Sequence, residues 1–474
     1  MKNEADIWTS VDRHAPDLIG LSDRIWGMPE ICYTEYASVA EHTAMLKDKG
    51  FRVTENVAGI PTAVMGEAGE GGPIIAFLGE YDALPGLSQE AGVAEPRPLP
   101  GNGQGHGCGH NLLGSAALLA ACALKDWLEE TGTPGRVRYY GCPAEEGGAA
   151  KSFMAREGAF DGVAAAITWH PHCFNEVAPA LSLANTRMDF AFTGRASHAA
   201  AAPHLGRSAL DAAQLMCTGV QYLREHVPQD SRIHYSFLDA GGVAPNVVQA
   251  RATLRFAIRS TSLPGMFELN ERVKRIAEGA AMMTDTKVAI SIMSAVSNLL
   301  PNGPLEDAMQ ANFERLGPPQ FDEDDRAFAA EIQATLTPGD IASAYRGAGL
   351  TPTDTPLCDF IVPQGTTRDP MIGSTDVGDV SWIVPTVQAH AATLAIGTPG
   401  HSWQVTAQGK TAQAHKAMTW VAKVMAATAQ DCLTDPDLIA RARADLDARL
   451  AATPYTCPIP AEVAPPLQPR PAAA

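Results

Sequence analysis

The sequence has little positive charge and no long hydrophobic run. Its 35 Lys and Arg residues are outnumbered by 53 Asp and Glu, so the formal net charge is −18. An acidic surface repels phosphate backbones and anionic lipids. The apolar runs at 74–78 and 118–124 are far shorter than the roughly 20 residues of a membrane-spanning helix. We therefore expect neither a nucleic-acid partner nor a membrane partner.

The cysteines and the N-terminal residues favour a reducing compartment. The nine cysteines are scattered singly and contain no C-x-x-C pair. Neither a disulfide framework nor a four-thiolate zinc module is predicted, and most of these cysteines are expected to be small buried hydrophobes. The opening residues MKNEADIWTSVDRHAPD contain no apolar core of a secretory signal. We expect a cytoplasmic protein.

Short apolar runs alternate with helical patterns in the first third of the chain. This alternation is typical of an α/β layer, so we predict a mostly parallel central sheet with helices on both faces. The predicted strands are 62–65, 74–78, 136–140 and 164–169, and the predicted helices are 36–49 and 111–130, with 304–315 and 410–427 later in the chain.

The pattern changes near residue 181. A strand, a helix at 208–225, two strands, a helix at 264–282 and a strand at 287–293 follow one another. This is the order of a split βαβ, or ferredoxin-like, α+β unit. We predict that this unit is inserted into the α/β domain. The predicted division is 1–184 and 298–452 for the two parts of the α/β domain, 185–297 for the insertion, and 453–474 for a Pro-rich tail, extended or disordered.

Side chains that bind metals follow several predicted strands directly. In open α/β sheets, ligands collect beyond the carboxyl ends of the strands. The residues in question are Glu80, Asp82, Glu145, Glu146, His170, His172 and His401, together with His106, Cys108 and His110 from a glycine-rich loop before a helix. His401 follows an apolar run at 391–396, which we take as one more strand. Packing alone does not require such a convergence at one edge of a sheet, so we predict a metal site there.

Cys108-Gly-His110 is the sharpest local motif. In an extended loop, residues i and i+2 point the same way, so the thiolate and the imidazole can reach one ion, and both are good zinc ligands. Glu145 and Glu146 follow a Cys-Pro-Ala turn. Adjacent side chains on a turn diverge, so one carboxylate can bind metal while the other accepts a proton from water. Taken alone, the cysteine could be an ordinary free thiol and the glutamate pair a solvated face.

Other hydrolase and nucleotide-binding motifs are missing. The sequence has no G-x-S-x-G elbow, no H-E-x-x-H and no Gly-Lys-Ser/Thr after the glycine-rich loop. A serine hydrolase, a single-zinc protease and a phosphate-binding loop are therefore not predicted.

Six segments in order resemble one family. GEYDALP, GHGCGHN, PAEEGG, WHP, GRASHAAAAP and GTPGHSW are similar to the motifs of the M20 metallopeptidase/amidohydrolase family, in its Cys-Gly-His branch. The resemblance implies a catalytic α/β domain interrupted by a lid, or dimerisation, domain. It also implies cleavage of the amide bond of an N-acyl or N-aroyl amino acid, such as p-aminobenzoyl-glutamate. The alternatives are a dipeptidase or aminoacylase acting on aliphatic acyl groups, and a catalytically silent metal-binding subunit.

The resemblance also implies individual roles and an assembly. Two divalent ions, zinc or manganese, would be bound by Cys108, His110, Glu146, His170 and His401, with Cys108 as the bridge. Glu145 would be the general acid/base, Asp82 would orient a ligand, His198 would reach the partner's site in a homodimer, and Asn246 and Arg259 would grip the substrate. Arg255 competes with Arg259, because strand alternation places both on one face. A heteromeric partner, the use of Glu80 and the role of segment 320–370 stay open.

Overall fold

Two β-sheets organise the residues that the computed structural model describes, 5–368 and 373–469. Seven strands form a mixed sheet in the order β1-β2-β4-β3-β5-β11-β6, and four form an antiparallel sheet in the order β10-β7-β9-β8. The strands are β1 (Arg52–Glu55), β2 (Val64–Glu70), β3 (Ile74–Glu80), β4 (Gly135–Cys142), β5 (Val163–His172), β6 (Glu176–Val177), β7 (Ala184–Thr193), β8 (Arg232–Asp239), β9 (Arg251–Ser260), β10 (Lys287–Val296) and β11 (Thr386–Ala392).

Helices cover these sheets. Among them α3 and α12 are the long Ala-rich helices that the sequence predicts. The α-helices are α1 (Ala5–Gly27), α2 (Tyr36–Asp48), α3 (His110–Thr131), α4 (Ala150–Arg156), α5 (Ala209–Leu223), α6 (Leu263–Met283), α7 (Gly303–Leu316), α8 (Glu323–Gln333), α9 (Pro338–Ala348), α10 (Val377–Ser381), α11 (Trp403–Gln408), α12 (Ala412–Thr434) and α13 (Pro436–Ala452).

The centre of the seven-stranded sheet is parallel. β3 lies between β4 and β5, β5 also pairs with β11, and all three pairings are parallel. Parallel strands are covered on both faces, and every residue of β3 is accordingly buried. The carboxyl ends of β3, β4, β5 and β11 therefore meet at one edge. This confirms the predicted α/β class with its mostly parallel central sheet.

Helix α3 fixes the distance between the glycine-rich loop and this edge. It is buried along most of its length between the sheet and helices α1 and α12. Gly114 permits the close approach, because a Cβ there would lie 2.5 Å from the carbonyl oxygen of Glu80. The first residue of the helix, His110, is thereby held beside the end of β3.

The antiparallel sheet belongs to the ferredoxin-like insertion. The chain passes through β7, α5, β8, β9, α6 and β10, which is the predicted order. One face of the sheet, with Met188, Phe190 and Phe256, packs on α5 and α6. The opposite face carries polar residues of β7 and β9. β8 is an edge strand with exposed apolar side chains, among them Phe237 and Leu238.

Two strand positions differ from the sequence-based prediction. The strand predicted at 62–65 begins at Val64 and continues to Glu70. The apolar run at 391–396 is not a strand as a whole, because parallel pairing of β11 with β5 ends at Ala392 opposite His172. β11 starts earlier, at Thr386, where Gln388 and His390 interrupt its hydrophobic pattern.

The Pro-rich tail is extended and bound to the α/β domain. Arg156 donates hydrogen bonds to the carbonyl oxygens of Pro460 (2.8 Å) and Val463 (2.7 Å), and Ile459 is buried. Residues 470–474 of the predicted tail lie outside the described residues. Within the described ranges, no helix combines the length and hydrophobicity that crossing a bilayer requires.

Candidate metal centre

One cavity of about 670 Å³ lies at the carboxyl edge of the parallel strands. Its wall is formed by the ends of β3, β4, β5 and β11, by the glycine-rich loop and by the polar face of the insertion. The predicted metal-site residues in this wall are Glu80, Cys108, Glu145, Glu146, His170, His172 and His401. The convergence predicted from the sequence is thus present in the fold.

The five predicted ligands form two groups that share Cys108. The donor atoms of Cys108, His110 and His170 lie within 4.8 Å of one another, and so do those of Cys108, Glu146 and His401. Cys108 Sγ lies 3.4 Å from His170 Nε2. His401 Nε2 lies 3.2 Å from Glu146 Oε1. A thiolate at the junction of two groups is placed to contact two ions.

Buried polar atoms without hydrogen bonds show that these residues fit cations. His110 Nε2 and Glu80 Oε2 are buried and have no hydrogen-bond partner. The buried Glu146 Oε1 lies 3.2 Å from His401 Nε2 without an aligned hydrogen bond. His110 Nε2 and Glu80 Oε2 are 3.3 Å apart, yet they are not aligned as a hydrogen bond. Unpaired buried polar atoms are costly and require a compensating contact. The sulfur, nitrogen and oxygen donors present are those that zinc accepts.

Asp82 contacts one member of each donor group, His110 of the first and Glu146 of the second. Its Oδ1 atom lies 2.9 Å from His110 Nδ1, and Oδ2 accepts the backbone N–H of Glu146 at 2.9 Å. Burial opposes the charge, but His110 still holds the pKa of Asp82 below its usual value. A carboxylate on the far nitrogen of an imidazole fixes the tautomer and the direction of the ring. This is the geometry of a residue that orients a ligand.

Glu145 and Glu146 diverge as the turn predicts. Ala144 has a left-handed backbone (φ 57°), which turns the chain immediately before the pair. Glu146 lies in a group with Cys108 and His401, whereas Glu145 lies in a group with Glu80 and His110. Burial raises the pKa of Glu145 well above its usual range, and the neighbouring carboxylate of Glu80 raises it further. A raised pKa suits a group that accepts and returns a proton.

His401 closes the centre on its open side. Its backbone is left-handed (φ 54°), and its N–H donates to the carbonyl oxygen of Gly107 at 3.1 Å. This bond pins the His401 loop to the loop that carries Cys108. The imidazole is 55% exposed, so this predicted ligand lies at the mouth of the cavity.

Lys151 neutralises Glu80, whose use the sequence left open. Lys151 Nζ lies 2.6 Å from Glu80 Oε1 and 2.6 Å from Asp376 Oδ1, and all three side chains are buried. The backbone N–H of Lys151 also donates to Asp376 Oδ2 at 2.9 Å. The sequence analysis missed this network, because Lys151 and Asp376 are 225 positions apart and belong to no shared motif.

His170 and His172 separate into two clusters. His170, the histidine that the resemblance implies as a ligand, joins Cys108, whereas His172 stacks on His390 with ring centroids 4.2 Å apart. Glu176 lies beside both rings of this second cluster, within 3.0 Å of His390 Nδ1.

The second cluster is an ion-paired wall of the cavity. Arg368 Nη1 lies 2.9 Å from Glu176 Oε2, and this guanidinium neutralises the carboxylate, so we do not assign a cation there. Arg368 comes from segment 320–370, which also contributes Asp340 and Gly347 to the wall. This gives the segment a place in the fold that its sequence did not reveal. His106 is buried away from both clusters, with Nε2 3.1 Å from the carbonyl oxygen of Ile25.

The predicted residues of the insertion fall in two places. Arg259 lines the cavity, whereas its competitor Arg255 is held by both carboxylate oxygens of Asp189, at 2.7 and 2.9 Å. His198 and Asn246 are exposed and adjacent, since the N–H of Ala199 donates to the carbonyl oxygen of Asn246. The structure does not bring His198 or Asn246 into the cavity of their own chain.

A donor set of this kind, at the edge of a parallel sheet with an inserted domain, is the arrangement of a metallohydrolase. Comparisons with known proteins define the class further. The model of peptidase family M20/M25/M40 matches residues 76–339. One of the subunits of p-aminobenzoyl-glutamate hydrolase from Escherichia coli is 44% identical over 94% of this chain and 95% of its own length. The chain therefore belongs to peptidase family M20/M25/M40 and is a hydrolase of that family, which confirms the resemblance.

Two further relatives cover nearly the whole chain. The Xaa-Arg dipeptidase of Mus musculus is 29% identical over 93% of this chain and 91% of its own. A crystal structure described as a dinuclear metal-binding peptidase of the M20 family, from Bacillus subtilis, matches with a TM-score of 0.55 and 17% identity. It covers 88% of this chain and 98% of that one, so the fold is shared over both the sheet and the insertion.

Replacing Lys151 should destabilise the protein strongly. Lys151→Met leaves Glu80 and Asp376 buried without their cation, so we expect a loss of about 3–5 kcal/mol in the free energy of unfolding. The measurement is urea denaturation followed by circular dichroism. The control is Lys274→Met, which removes an exposed ion pair with Glu271 and should cost less than about 1 kcal/mol. Equal effects of the two substitutions would contradict the structural role of Lys151.

Proposed function

We propose that the protein is an amidohydrolase that binds two divalent cations and cleaves the amide bond of an N-acyl or N-aroyl amino acid. The observation that carries the proposal is the sharing of Cys108 by two groups of donor atoms, with Glu145 next to His110 of the first group. The names of two relatives support it, since one specifies p-aminobenzoyl-glutamate as a substrate and the other a dinuclear metal centre.

The donor atoms divide between the two cations. Cys108, His110 and His170 would hold one, and Cys108, Glu146 and His401 the other. Such cations lower the pKa of a water molecule and polarise a carbonyl oxygen. The thiolate and imidazoles favour zinc, and manganese is the other metal expected from the family resemblance.

Glu145 would carry the proton during hydrolysis. The residue is half-buried beside Glu80 and His110 without being part of either group of donors that contains Cys108. A carboxylate of raised pKa can accept a proton from the attacking water and pass it to the leaving amine. Arg259, which lines the same cavity, would hold the carboxylate of the amino acid that leaves.

A second chain would complete the site. His198 and Asn246 lie outside the cavity of their own chain, where His198 forms an isolated β-bridge with Val247. The insertion also has an exposed edge strand, β8. Tyr235, Phe237 and Leu238 on this strand are 36%, 43% and 50% exposed. An apolar edge strand invites pairing with another strand, and a second copy would bring His198 to the partner's cavity as a hydrogen-bond donor for the oxyanion. The Escherichia coli relative is named as one subunit of an enzyme, which makes a different chain the alternative occupant of this edge.

Glu145→Gln should abolish turnover and preserve metal binding. Because the amide cannot accept the proton, kcat should fall by about 100- to 10,000-fold, measured as release of amine from N-aroyl and N-acyl amino acids. Metal content, measured by elemental analysis, should match that of the unmodified protein. The exposed Glu70→Gln is the control and should leave both quantities unchanged. Near-normal turnover of Glu145→Gln would contradict the assignment of the base.

The shared position of Cys108 predicts unequal losses of metal. Cys108→Ala removes a ligand from both groups, whereas His401→Ala removes a ligand from one. After reloading with zinc and desalting, we expect two ions per chain in the unmodified protein, about one in His401→Ala and fewer than one in Cys108→Ala. Two retained ions in Cys108→Ala would show that the thiolate is not the bridge.

Mixed dimers test whether His198 acts in the partner's site. A purified heterodimer of Glu145→Gln and His198→Ala chains contains one site with both residues intact if His198 acts across the interface, so about half of the wild-type turnover should return. A heterodimer of the unmodified chain with the double variant has no intact site and should be inactive. If the first heterodimer is inactive and the second is active, His198 acts in the site of its own chain.

A further inference from the structure

We propose that Arg187 is a specificity-determining residue, and that Arg187 and Arg259 together bind the two carboxylates of an N-acyl aminodicarboxylic acid. This inference rests on the proposed function and narrows its substrate class. Arg187 binds the side-chain carboxylate, and Arg259 binds the α-carboxylate.

The two arginines share one face of the insertion. In the antiparallel pair of β7 and β9, Asn185 lies opposite Arg259 and Arg187 lies opposite Ala257. Arg187 and Arg259 are therefore diagonal neighbours on the face that is not covered by α5 and α6, with Cα atoms about 7–8 Å apart in such a register. Both line the same cavity as Glu145 and Glu146. The spacing suits two carboxylates that are separated by a short methylene chain.

Their positive charges are not balanced by the protein. Among the described residues, neither guanidinium forms an ion pair with a carboxylate. Arg255, on the same face, is by contrast held by Asp189. Arg259 Nε and Asn185 Oδ1 are buried without a hydrogen-bond partner, and burial together with Arg187 lowers the pKa of Arg259. Two adjacent, half-buried cations call for an anionic ligand.

Arg187 reaches the reacting centre through Gly147. A Cβ at Gly147 would overlap the Arg187 guanidinium, and the residue has a φ of 144°, which favours glycine. Gly147 directly follows the metal ligand Glu146 and the base Glu145. A group bound by Arg187 therefore lies close to the scissile amide, where the amino acid rather than the far end of the acyl group must sit.

Two carboxylates in the wall are already paired with basic side chains of the protein. Glu176 is paired with Arg368, and Asp376 is paired with Lys151. Asp340 caps the first turn of α9. A single α-carboxylate would neutralise one of the two arginines, whereas glutamate or aspartate neutralises both. The residues that line the cavity therefore favour a substrate with an acidic amino acid. They disfavour a substrate with arginine, the amino acid in the name of the mouse relative.

The test compares p-aminobenzoyl-glutamate with p-aminobenzoyl-glutamine, which has the same shape and one charge fewer. We expect kcat/KM of the unmodified enzyme to be about 10- to 100-fold higher for the glutamate compound. Arg187→Met should remove this preference by lowering only the glutamate value, and Arg187→Lys should retain part of it. Arg255→Met, which alters the same face outside the cavity, is the matched control and should keep the full preference.

Binding provides a second readout that needs no turnover. In the Glu145→Gln background, calorimetry should show that Arg187→Met weakens binding of p-aminobenzoyl-glutamate by about 10- to 100-fold and leaves the glutamine compound unaffected. Equal weakening of both compounds, or of neither, would overturn the role of Arg187. Hydrolysis of both compounds without preference overturns this inference and leaves the proposed function standing. A reloaded enzyme that hydrolyses no N-acyl amino acid overturns the proposed function instead.

Discussion

The stability of the structure depends on how the negative charge that accumulates at the carboxyl edge of the central sheet is compensated. Five carboxylates, those of Glu80, Asp82, Glu145, Glu146 and Asp376, lie at the carboxyl edge of four parallel strands together with the Cys108 thiol. Lys151 compensates Glu80 and Asp376, and no Lys or Arg of the described chain forms an ion pair with Glu146. Burying such charges without counter-charge is unfavourable by several kcal/mol for each ion. In the proposed centre, cations held by the two groups around Cys108 would resolve this imbalance and would also activate the water that attacks the amide.

The ordinary packing of the α/β fold brings these carboxylates together. Parallel strands direct their carboxyl ends to a single edge, and the side chains that follow them meet there without any long excursion of the chain. Gly114 lets α3 lie against the end of β3, so that His110 enters the centre as the first residue of the helix. The left-handed residues Ala144 and His401 then turn two loops sharply enough for Glu146 and His401 to lie beside Cys108. The backbone conformations at these few positions bring the donor side chains at the edge of the sheet together into one cluster.

The sequence predicted those parts of the site that are encoded locally. Cys108 and His110 are separated by one residue, Glu145 and Glu146 are adjacent, and each pair follows a recognisable strand or loop, so the motifs could be recognised without a structure. Lys151 with Asp376 could not be predicted, because the contact joins positions far apart in the chain and each residue alone is unremarkable. β11 was misplaced because Gln388 and His390 face the cavity and break the hydrophobic pattern on which strand prediction depends. Arg187 was missed for a similar reason: alternating polar residues in a strand normally indicate an exposed face, and only the fold shows that this face looks into a cavity.

We thus assign the hydrolytic reaction to the α/β domain and the recognition of the amino acid to the insertion. The proposed ligands and the proposed base all belong to the α/β domain, whereas Arg187 and Arg259 belong to the sheet of the insertion. The α/β domain and the insertion are in contact at Gly147, where Arg187 lies against the turn that carries Glu145 and Glu146. Because Gly147 contributes no side chain, residues of β7 and β9 can change their charge without displacing a metal ligand. The charge on the open face of the insertion is therefore where we expect the substrate preference of this chain to be set.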